Sequence, residues 1–224
     1  MVFGAHADDA EIGMGGTIAK HAQAGYRVGV CDLTEAEMSS NGTVELRRQE
    51  AATASAVLGI SRRSNLQLPD RGLAPVREQV EAIVEEIRLT KPRIVFAPYW
   101  KDRHPDHVQC SRLIEEAVFN AKLRKFMPDL PPVQVERLIY YYINDMDEVS
   151  LVVDVSECYD LKRQALAAYR SQFDRSAVED SVATPLTNGY LKRVESRDYL
   201  LGQGKGWHYA EGFAVKQPFG VSLF

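Results

Sequence analysis

Residues 2–16 read VFGAHADDAEIGMGG. A short apolar run comes first, then a turn with one histidine and two aspartates, and then a glycine-containing segment with apolar residues at helical spacing. This order predicts a strand, a polar turn and a helix. The polar turn therefore lies at the carboxyl end of the first predicted strand.

The same alternation of strand and helix continues along the chain. Strands are predicted at Val2–Ala5, Val28–Leu33, Asn65–Leu68, Ile94–Ala97, Val135–Ile143 and Leu151–Val155. Helices are predicted at Gly15–Ala24, Thr43–Leu58, Val76–Thr90, Pro105–Lys122, Cys158–Tyr169 and Asn188–Leu201. Residues 174–187 are polar and without period, which predicts a surface loop or a lid. The pattern indicates one α/β domain over residues 1–224, with a Rossmann-like, mostly parallel sheet flanked by helices.

Composition excludes several classes of function. The formal net charge of −4 offers no basic surplus for nucleic acid, and we find no apolar run long enough to cross a membrane. The three cysteines are scattered, which argues against both a disulfide framework and a thiolate zinc site. We therefore expect a soluble cytoplasmic protein with buried thiols and with neither a nucleic-acid nor a membrane partner.

A second polar motif, His104-Pro105-Asp106-His107, follows the fourth predicted strand and begins a helix. Ligands of open α/β sheets bind beyond the carboxyl ends of the strands, where this motif and the first one can converge. Two imidazoles and one carboxylate give zinc three protein ligands and leave a position open for water, the pattern of catalytic sites. The joint pattern predicts a His/Asp metal cluster with one further carboxylate free to act as a base.

A nucleotide-binding Rossmann module is the non-enzymatic alternative. Glycines follow the first strand and an acid ends the second, at Gly13, Gly15, Gly16 and Asp32. The glycines do not form G-x-G-x-x-G, and the turn where pyrophosphate would bind carries Asp8, Asp9 and Glu11. Because these carboxylates would repel a phosphate, we interpret the glycines as permitting close packing of the helix on the strand and close approach of the backbone to a ligand.

With both motifs placed, the sequence resembles the LmbE-like (PIG-L) zinc deacetylases. That family carries His-x-Asp-Asp after the first strand and His-x-Asp-His after the fourth. Within it the chain is most similar to the bacillithiol-pathway N-acetyl-α-D-glucosaminyl L-malate deacetylases. The matching stretches are residues 4–13, 31–37, 39–43, 45–47, 68–72, 102–107, 184–187 and 209–213. The family usually has several more residues before the first glycine, so a short first strand is expected.

The resemblance implies a division of labour within the metal cluster. His6, Asp9 and His107 would bind Zn²⁺, and Asp8 would act as the general base on the attacking water. The same set of ligands would also accept iron, cobalt or manganese. Replacing Asp8 is expected to abolish turnover while the metal is retained.

Five further residues receive roles in the site, partly from the resemblance and partly from the chemistry of their side chains. His104, as an imidazolium, and Tyr190 would stabilise the oxyanion. Asp106 would orient His104 or another metal ligand, or would simply interact with the helix dipole. Arg47 and Arg103 would bind the carboxylates of a malate-bearing sugar, although a surface salt bridge is an equally open interpretation of Arg103.

The resemblance implies hydrolysis of N-acetylglucosaminyl L-malate to glucosaminyl L-malate and acetate, a step of bacillithiol biosynthesis. Two alternatives keep the chemistry and change the substrate: another N-acetylglucosamine derivative, or a thiol conjugate cleaved at its amide. The expected partner is a small amino-sugar substrate. A homo-oligomer, a hexamer in the family, is expected on the same basis.

Overall fold

The computed structural model describes residues 1–177 and 179–218. Within these residues the strands are β1 (Val2–Gly4), β2 (Gly29–Thr34), β3 (Arg62–Leu68), β4 (Ile94–Pro98), β5 (Arg137–Tyr141), β6 (Leu151–Asp154) and β7 (Ala210–Ala214). The helices are α1 (Asp9–Gln23), α2 (Val44–Leu58), α3 (Arg77–Thr90), α4 (Pro105–Ala121), α5 (Tyr159–Ala168), α6 (Arg170–Phe173) and α7 (Tyr190–Gln203), with a 3₁₀ turn at Ser156–Cys158.

The described strands form one sheet in the order β3-β2-β1-β4-β5-β7-β6. The strands β1 to β5 pair in parallel, and β7 pairs antiparallel with both β5 and β6. The predicted Rossmann-like, mostly parallel sheet is therefore confirmed. After β1 the chain crosses to β2 on one side and later to β4 on the other, so the carboxyl end of β1 lies at the switch point where such sheets bind ligands.

Apolar side chains cover both faces of the sheet. Val2 and the helices α1, α2, α5 and α7 contribute to one buried cluster, whereas Phe3 and the helices α3 and α4 contribute to the other. Neighbouring residues of a strand point to opposite faces, which explains how adjacent residues of β1 enter different clusters. The short β1 is thus buried on both sides, as expected for a central parallel strand.

Helix α1 differs from its prediction. It begins at Asp9 rather than at Gly15, and it is broken at Met14, whose backbone has φ −151° and ψ 27°. The predicted start at Gly15 corresponds to the second half of this broken helix. A Cβ atom on Gly13 would lie 2.1 Å from Tyr141 Cδ2, and one on Gly16 would lie 2.7 Å from Val155 Cβ. These two glycines therefore permit the close packing of α1 against neighbouring segments, and the close approach of the backbone to a ligand stays a prediction.

Two elements were not predicted, the short α6 and the strand β7. All five residues of β7 are buried, including Glu211, so this run shows neither the alternation nor the apolar continuity of a typical strand.

Among the described residues of the 174–187 segment there is no helix or strand, while residue 178 lies outside the described part. The three cysteines are free and buried, as predicted. None of the described helices is both long enough and apolar enough to cross a bilayer.

Candidate metal centre

The loops that follow β1, β2, β3, β4 and β5 meet in one cavity of about 470 Å³. Both histidine motifs line this cavity, as the placement at strand ends predicts. The segment before α7 closes one wall with Thr184, Pro185 and Leu186. Asn41 holds that segment in place, because its side chain donates to Val182 O at 3.0 Å and accepts from Val182 N at 2.8 Å. The predicted loop is therefore a wall of the cavity, and its movement as a lid stays a prediction.

His6, Asp9 and His107 come together on the floor of the cavity. His107 Nε2 lies 3.2 Å from Asp9 Oδ1, and His6 Nδ1 lies 3.7 Å from Asp9 Oδ2. Zinc takes nitrogen and oxygen ligands at about 2.0–2.2 Å, so neighbouring ligand atoms of a tetrahedral site stand about 3.4 Å apart. The first separation matches this spacing and the second is slightly longer, and each involves a different oxygen of Asp9. Among the described residues, the groups whose potential ligand atoms all lie within 4.8 Å of one another are His6, His104 and His107, and His6, Asp70 and Asp106. The cavity floor therefore offers donors for a divalent metal ion, while ligation by His6, Asp9 and His107 stays a prediction.

The outer nitrogens of the two candidate ligands each face a carboxylate. His107 Nδ1 lies 3.0 Å from Asp102 Oδ1, and His6 Nε2 lies 3.2 Å from Asp70 Oδ1. Metal-binding imidazoles usually donate their other N–H to a carboxylate, which fixes the tautomer and the ring orientation. Asp70 and Asp102 therefore leave His6 Nδ1 and His107 Nε2 to face the metal position.

Asp102 belongs to a longer chain of hydrogen bonds. Asn144 donates to it from its side chain at 2.9 Å and from its backbone N–H at 3.0 Å. The side-chain oxygen of Asn144 in turn accepts from the Tyr190 hydroxyl at 2.9 Å. The chain thus connects Tyr190 with the candidate ligand His107.

Asp106 lies against His6 rather than against His104. Its Oδ2 stands 3.7 Å from His6 Nε2 and accepts a hydrogen bond from Arg71 N at 2.9 Å. The expectation that Asp106 orients a ligand thus points to His6. Burial disfavours the charged imidazole of His6, but the hydrogen bonds with Asp106, Asp70 and Asp9 outweigh it and raise its pKa well above the ordinary value. His107 behaves alike: despite burial, Asp9 and Asp102 raise its pKa to about 9.

Asp8 presents one paired and one unpaired oxygen. Its Oδ1 lies 3.0 Å from Arg47 Nη2, whereas its buried Oδ2 has no hydrogen-bond partner within the described structure. Burial raises the pKa of Asp8 to about 7, against the lowering effect of Arg47. The backbone of Asp8 has φ 115°, a strained conformation of the kind that clusters at functional sites. A buried carboxylate oxygen without a partner at the cavity wall suits a group that takes up a proton.

The surroundings of His104 favour the neutral imidazole over the imidazolium. Burial, together with the nearby charges of His107 and His6, lowers its pKa to about 4. Its Nδ1 accepts a hydrogen bond from Asp106 N at 3.2 Å and so caps α4, which places the ring proton on Nε2. The imidazolium expected from the resemblance is therefore disfavoured, although a neutral donor remains.

The two candidate arginines differ sharply in their surroundings. Arg47 is buried and donates to Ala7 O from both Nε and Nη2, besides contacting Asp8 and Ser39. Arg103 is exposed at the cavity, and among the described residues no carboxylate lies within ion-pair distance of its guanidinium. Arg47 therefore supports the Asp8 turn, and Arg103 is the arginine open to a ligand. The alternative interpretation of Arg103, a surface salt bridge, finds no partner carboxylate among the described residues.

Sequence reasoning missed Asp70, Asp102 and Asn144. Asp70 and Asp102 stand beyond the carboxyl ends of β3 and β4, the same signal that identified the histidine motifs, and both lie in stretches quoted for the resemblance. Asn144 follows β5 by three residues, but the predicted strand extended to Ile143 and hid this strand end.

Comparison with known proteins gives a match to the PIG-L family, described as GlcNAc-PI de-N-acetylase, over residues 1–118. The diacetylchitobiose deacetylase of Thermococcus kodakarensis is 30% identical over 222 residues, and the alignment covers 92% of this chain and 79% of that protein. A Bacillus subtilis protein described as "probable N-acetyl-alpha-D-glucosaminyl L-malate deacetylase 2" is 29% identical, with 86% of this chain and 85% of that protein covered.

A solved structure extends the likeness to nearly the whole fold. The conserved protein TT1542 from Thermus thermophilus superposes with a TM-score of 0.90 at 40% sequence identity. The superposition covers 98% of this chain and 95% of that one. The likeness therefore includes the C-terminal part that the family match leaves out.

Proposed function

This chain belongs to the PIG-L family, and on that premise we propose that it is a zinc-dependent hydrolase that removes the acetyl group from an N-acetylglucosaminyl compound. One observation carries the proposal: Asp8 Oδ2 is buried without a hydrogen-bond partner in the described structure, at a cavity whose histidines and aspartates offer donors for a metal ion. Of the relatives, one acts on diacetylchitobiose and another is described as acting on an N-acetylglucosaminyl malate.

The mechanism divides the work between the metal ligands and Asp8. Held by His6, Asp9 and His107, Zn²⁺ would supply Lewis acidity and lower the pKa of a water molecule toward neutrality. Asp8 Oδ2 takes the proton of the water as the water attacks the acetamide carbonyl carbon. Because its pKa is raised to about 7, the same carboxyl can return that proton to the departing amine nitrogen.

The remaining polar groups act on the oxyanion. Neutral His104 donates from Nε2–H, and no charge needs to change on the imidazole during the reaction. Tyr190 lines the same cavity, but its hydroxyl proton is shared with Asn144 and Ile143. To stabilise the oxyanion, Tyr190 would exchange one of these bonds for a bond to the substrate.

N-Acetylglucosaminyl L-malate is the substrate that we propose, in bacillithiol biosynthesis. The argument is Arg103, an exposed guanidinium at the cavity without an ion-pair partner among the described residues. Planar guanidinium groups bind carboxylates bidentately, which suits the malyl group. Arg47 contributes by holding Asp8, so Arg47→Ala is expected to lower kcat as well as substrate capture.

Acetate release tests the proposal. The enzyme is treated with a chelator, reloaded with zinc, iron, cobalt or manganese, and supplied with N-acetylglucosaminyl malate, diacetylchitobiose or N-acetylglucosamine. Chelation should abolish release, zinc should restore it, and the malate glycoside should have the highest kcat/KM. Replacing Arg103 with Met should remove that preference, whereas Arg112→Met, an exposed arginine of α4, should keep it.

The outcomes separate the parts of the proposal. Preference for diacetylchitobiose would transfer the function to that substrate class, in line with the Thermococcus relative. A metal-loaded protein that releases acetate from none of the three compounds would refute the deacetylase function. The cytoplasmic location and the hexameric assembly are further parts of the proposal, and sedimentation of the purified protein tests the assembly.

A further inference from the structure

The break in α1 at Met14 frees backbone groups that a continuous helix would pair with each other. In such a helix Ile12 O would accept from Gly16 N. Here Gly16 N and Thr17 N donate instead to Glu211 Oε1 and Oε2, at 2.9 and 2.7 Å. Ile12 O accepts from Arg197 Nη2 at 3.0 Å. Charged side chains from α7 and β7 thus replace the missing helical bonds.

Four residues, which we call the Arg197 cluster, supply these contacts: Lys162, Arg197, Asp198 and Glu211. Lys162 Nζ lies 2.7 Å from Asp198 Oδ2 and 2.6 Å from Glu211 Oε1, and all three side chains are fully buried. Arg197 Nε donates to Asp198 Oδ1 at 3.0 Å. Two cations face two anions, so the cluster carries no net charge.

Stability alone does not explain this arrangement. Burying ion pairs costs desolvation that their attraction often fails to offset, and well-packed apolar residues frequently serve as well. An unbroken α1 would satisfy Ile12 O and Gly16 N without any charged group. We therefore interpret the break and its charged partners as a means of positioning the turn with Asp8 and Asp9, which precedes the break.

Arg197 also contacts the opposite wall of the cavity. Its Nη1 donates to Tyr142 O at 3.1 Å and to Ile143 O at 2.9 Å, just beyond β5. The next residue, Asn144, holds Asp102, and Asp102 holds His107. One guanidinium therefore bridges the segment that carries Asp9 and the segment that orients His107.

We propose that Arg197 is a positioning residue of the metal centre, which fixes the Asp8–Asp9 turn relative to the Asn144–Asp102–His107 chain. The inference rests on the metal centre of the proposed function. It predicts that loss of Arg197 weakens metal binding itself, whereas a merely structural arginine would change only the stability of the protein.

Arg88 provides a matched control. It is 2% exposed, and within the described part of the chain its hydrogen bonds all go to backbone carbonyls, those of Asn120, Ala121, Leu123, Met127 and Leu130. The experiment compares Arg197→Met with Arg88→Met by zinc competition against a chromophoric chelator and by thermal unfolding of the metal-free protein. Both variants should unfold at lower temperature. Only Arg197→Met should lose zinc affinity, by about 10- to 100-fold, as for other residues that orient metal ligands.

Zinc affinity of Arg197→Met within about threefold of the wild type, or an equal loss in Arg88→Met, would overturn the proposal. If Arg197→Met does not fold, Arg197→Lys takes its place. A lysine can keep the pair with Asp198 but cannot reach the carbonyls on both sides, so its zinc affinity should still fall, and an unchanged affinity would refute the role. Because no substrate is involved, an inactive protein with normal zinc binding would count against the deacetylase function and not against this inference.

Discussion

Two of the buried clusters of charged side chains, the Arg197 cluster and the metal centre, pair their charges in different ways. In the Arg197 cluster every charge faces an opposite charge, and Glu211 also receives two backbone N–H groups. In the metal centre carboxylates and imidazoles crowd together, and Asp8 Oδ2 has no partner within the described structure. The first cluster is satisfied by the chain itself, whereas the second has acceptor atoms in excess.

The difference indicates where function lies. Buried polar groups of folded proteins are almost always paired, so an unpaired one requires a reason. In the metal centre the missing partners are those that a cation and a proton would supply. Four other buried side-chain atoms also lack a partner within the described structure, namely Glu11 Oε2, Thr17 Oγ1, Gln109 Oε1 and Ser111 Oγ. Asp8 Oδ2 differs from these four because Asp8 lines the cavity.

The largest expected effect comes from the unpaired oxygen. Asp8→Asn keeps the shape of the side chain, and asparagine tolerates positive φ about as well as aspartate does. It removes the proton acceptor, so kcat should fall by about 10²- to 10⁴-fold while zinc affinity stays near that of the wild type. Acetate release and metal content measure the two quantities. The exposed Asp160→Asn is the control, and near-normal turnover of Asp8→Asn would show that another group is the base.

Disrupting the fully paired Arg197 cluster should lower the free energy of unfolding rather than turnover. Lys162→Met leaves Asp198 and Glu211 buried without their common cation, which should cost about 3–5 kcal/mol of unfolding free energy. Chemical denaturation of the metal-free protein measures this loss. Lys20→Met, at an exposed lysine, should change stability by no more than about 0.5 kcal/mol. A loss below about 1 kcal/mol in Lys162→Met would mean that the cluster relaxes around the missing charge.

The two clusters also differ in how far the sequence reveals them. Most residues of the metal centre belong to two short sequence motifs, each at the end of a predicted strand. The topology of a parallel sheet is enough to bring these two motifs together. The Arg197 cluster joins Lys162, Arg197 and Glu211 from three separate elements. No spacing rule connects them, and Glu211 itself obscured β7, because a charged residue in a short buried run does not resemble a strand.

The same limit applied inside the metal centre. Sequence motifs identified the candidate ligands His6 and His107, but not the carboxylates that orient them, since Asp70 and Asp102 reach the imidazoles through loop conformations that a pattern does not encode. The direction of the His104 pKa shift was likewise outside the reach of the sequence, because it depends on burial and on the neighbouring charges of His107 and His6. The fold and the convergence of the two histidine motifs were thus predictable. The carboxylates that face the imidazoles, and the charge states of the rings, depend on the three-dimensional structure.

Removing an orienting carboxylate should have an intermediate effect. Asp102→Asn keeps the size of the side chain but removes the charge that faces His107 Nδ1. Zinc affinity should fall by about 10- to 100-fold because the imidazole loses both its fixed orientation and part of its basicity. Chelator competition measures the loss, with Asp147→Asn, an acid paired with the exposed Lys101, as the control. Equal affinity in both variants would leave Asp102 without an orienting role.

The last expected effect concerns pH and is graded rather than abrupt. In the metal-free protein the pKa of His107 is raised to about 9 and that of His6 also lies above its ordinary value, so at neutral pH both rings carry a proton that zinc must displace. Below pH 9, zinc affinity should therefore weaken as the pH falls, by about tenfold per pH unit for each proton displaced.

The sign is opposite for the metal-free fold. A pKa raised in the folded state stabilises the protein fully below the unfolded value of 6.5 for histidine, and this contribution disappears as the pH rises toward 9. As the pH rises between these two values, the metal-free protein should become less stable while its affinity for zinc increases. Chelator competition and thermal unfolding across pH 6.5–9 measure the two trends. A zinc affinity independent of pH would show that His107 binds no proton in the metal-free protein. The carboxylates of the metal centre would then be neutralised by a group other than a protonated His107.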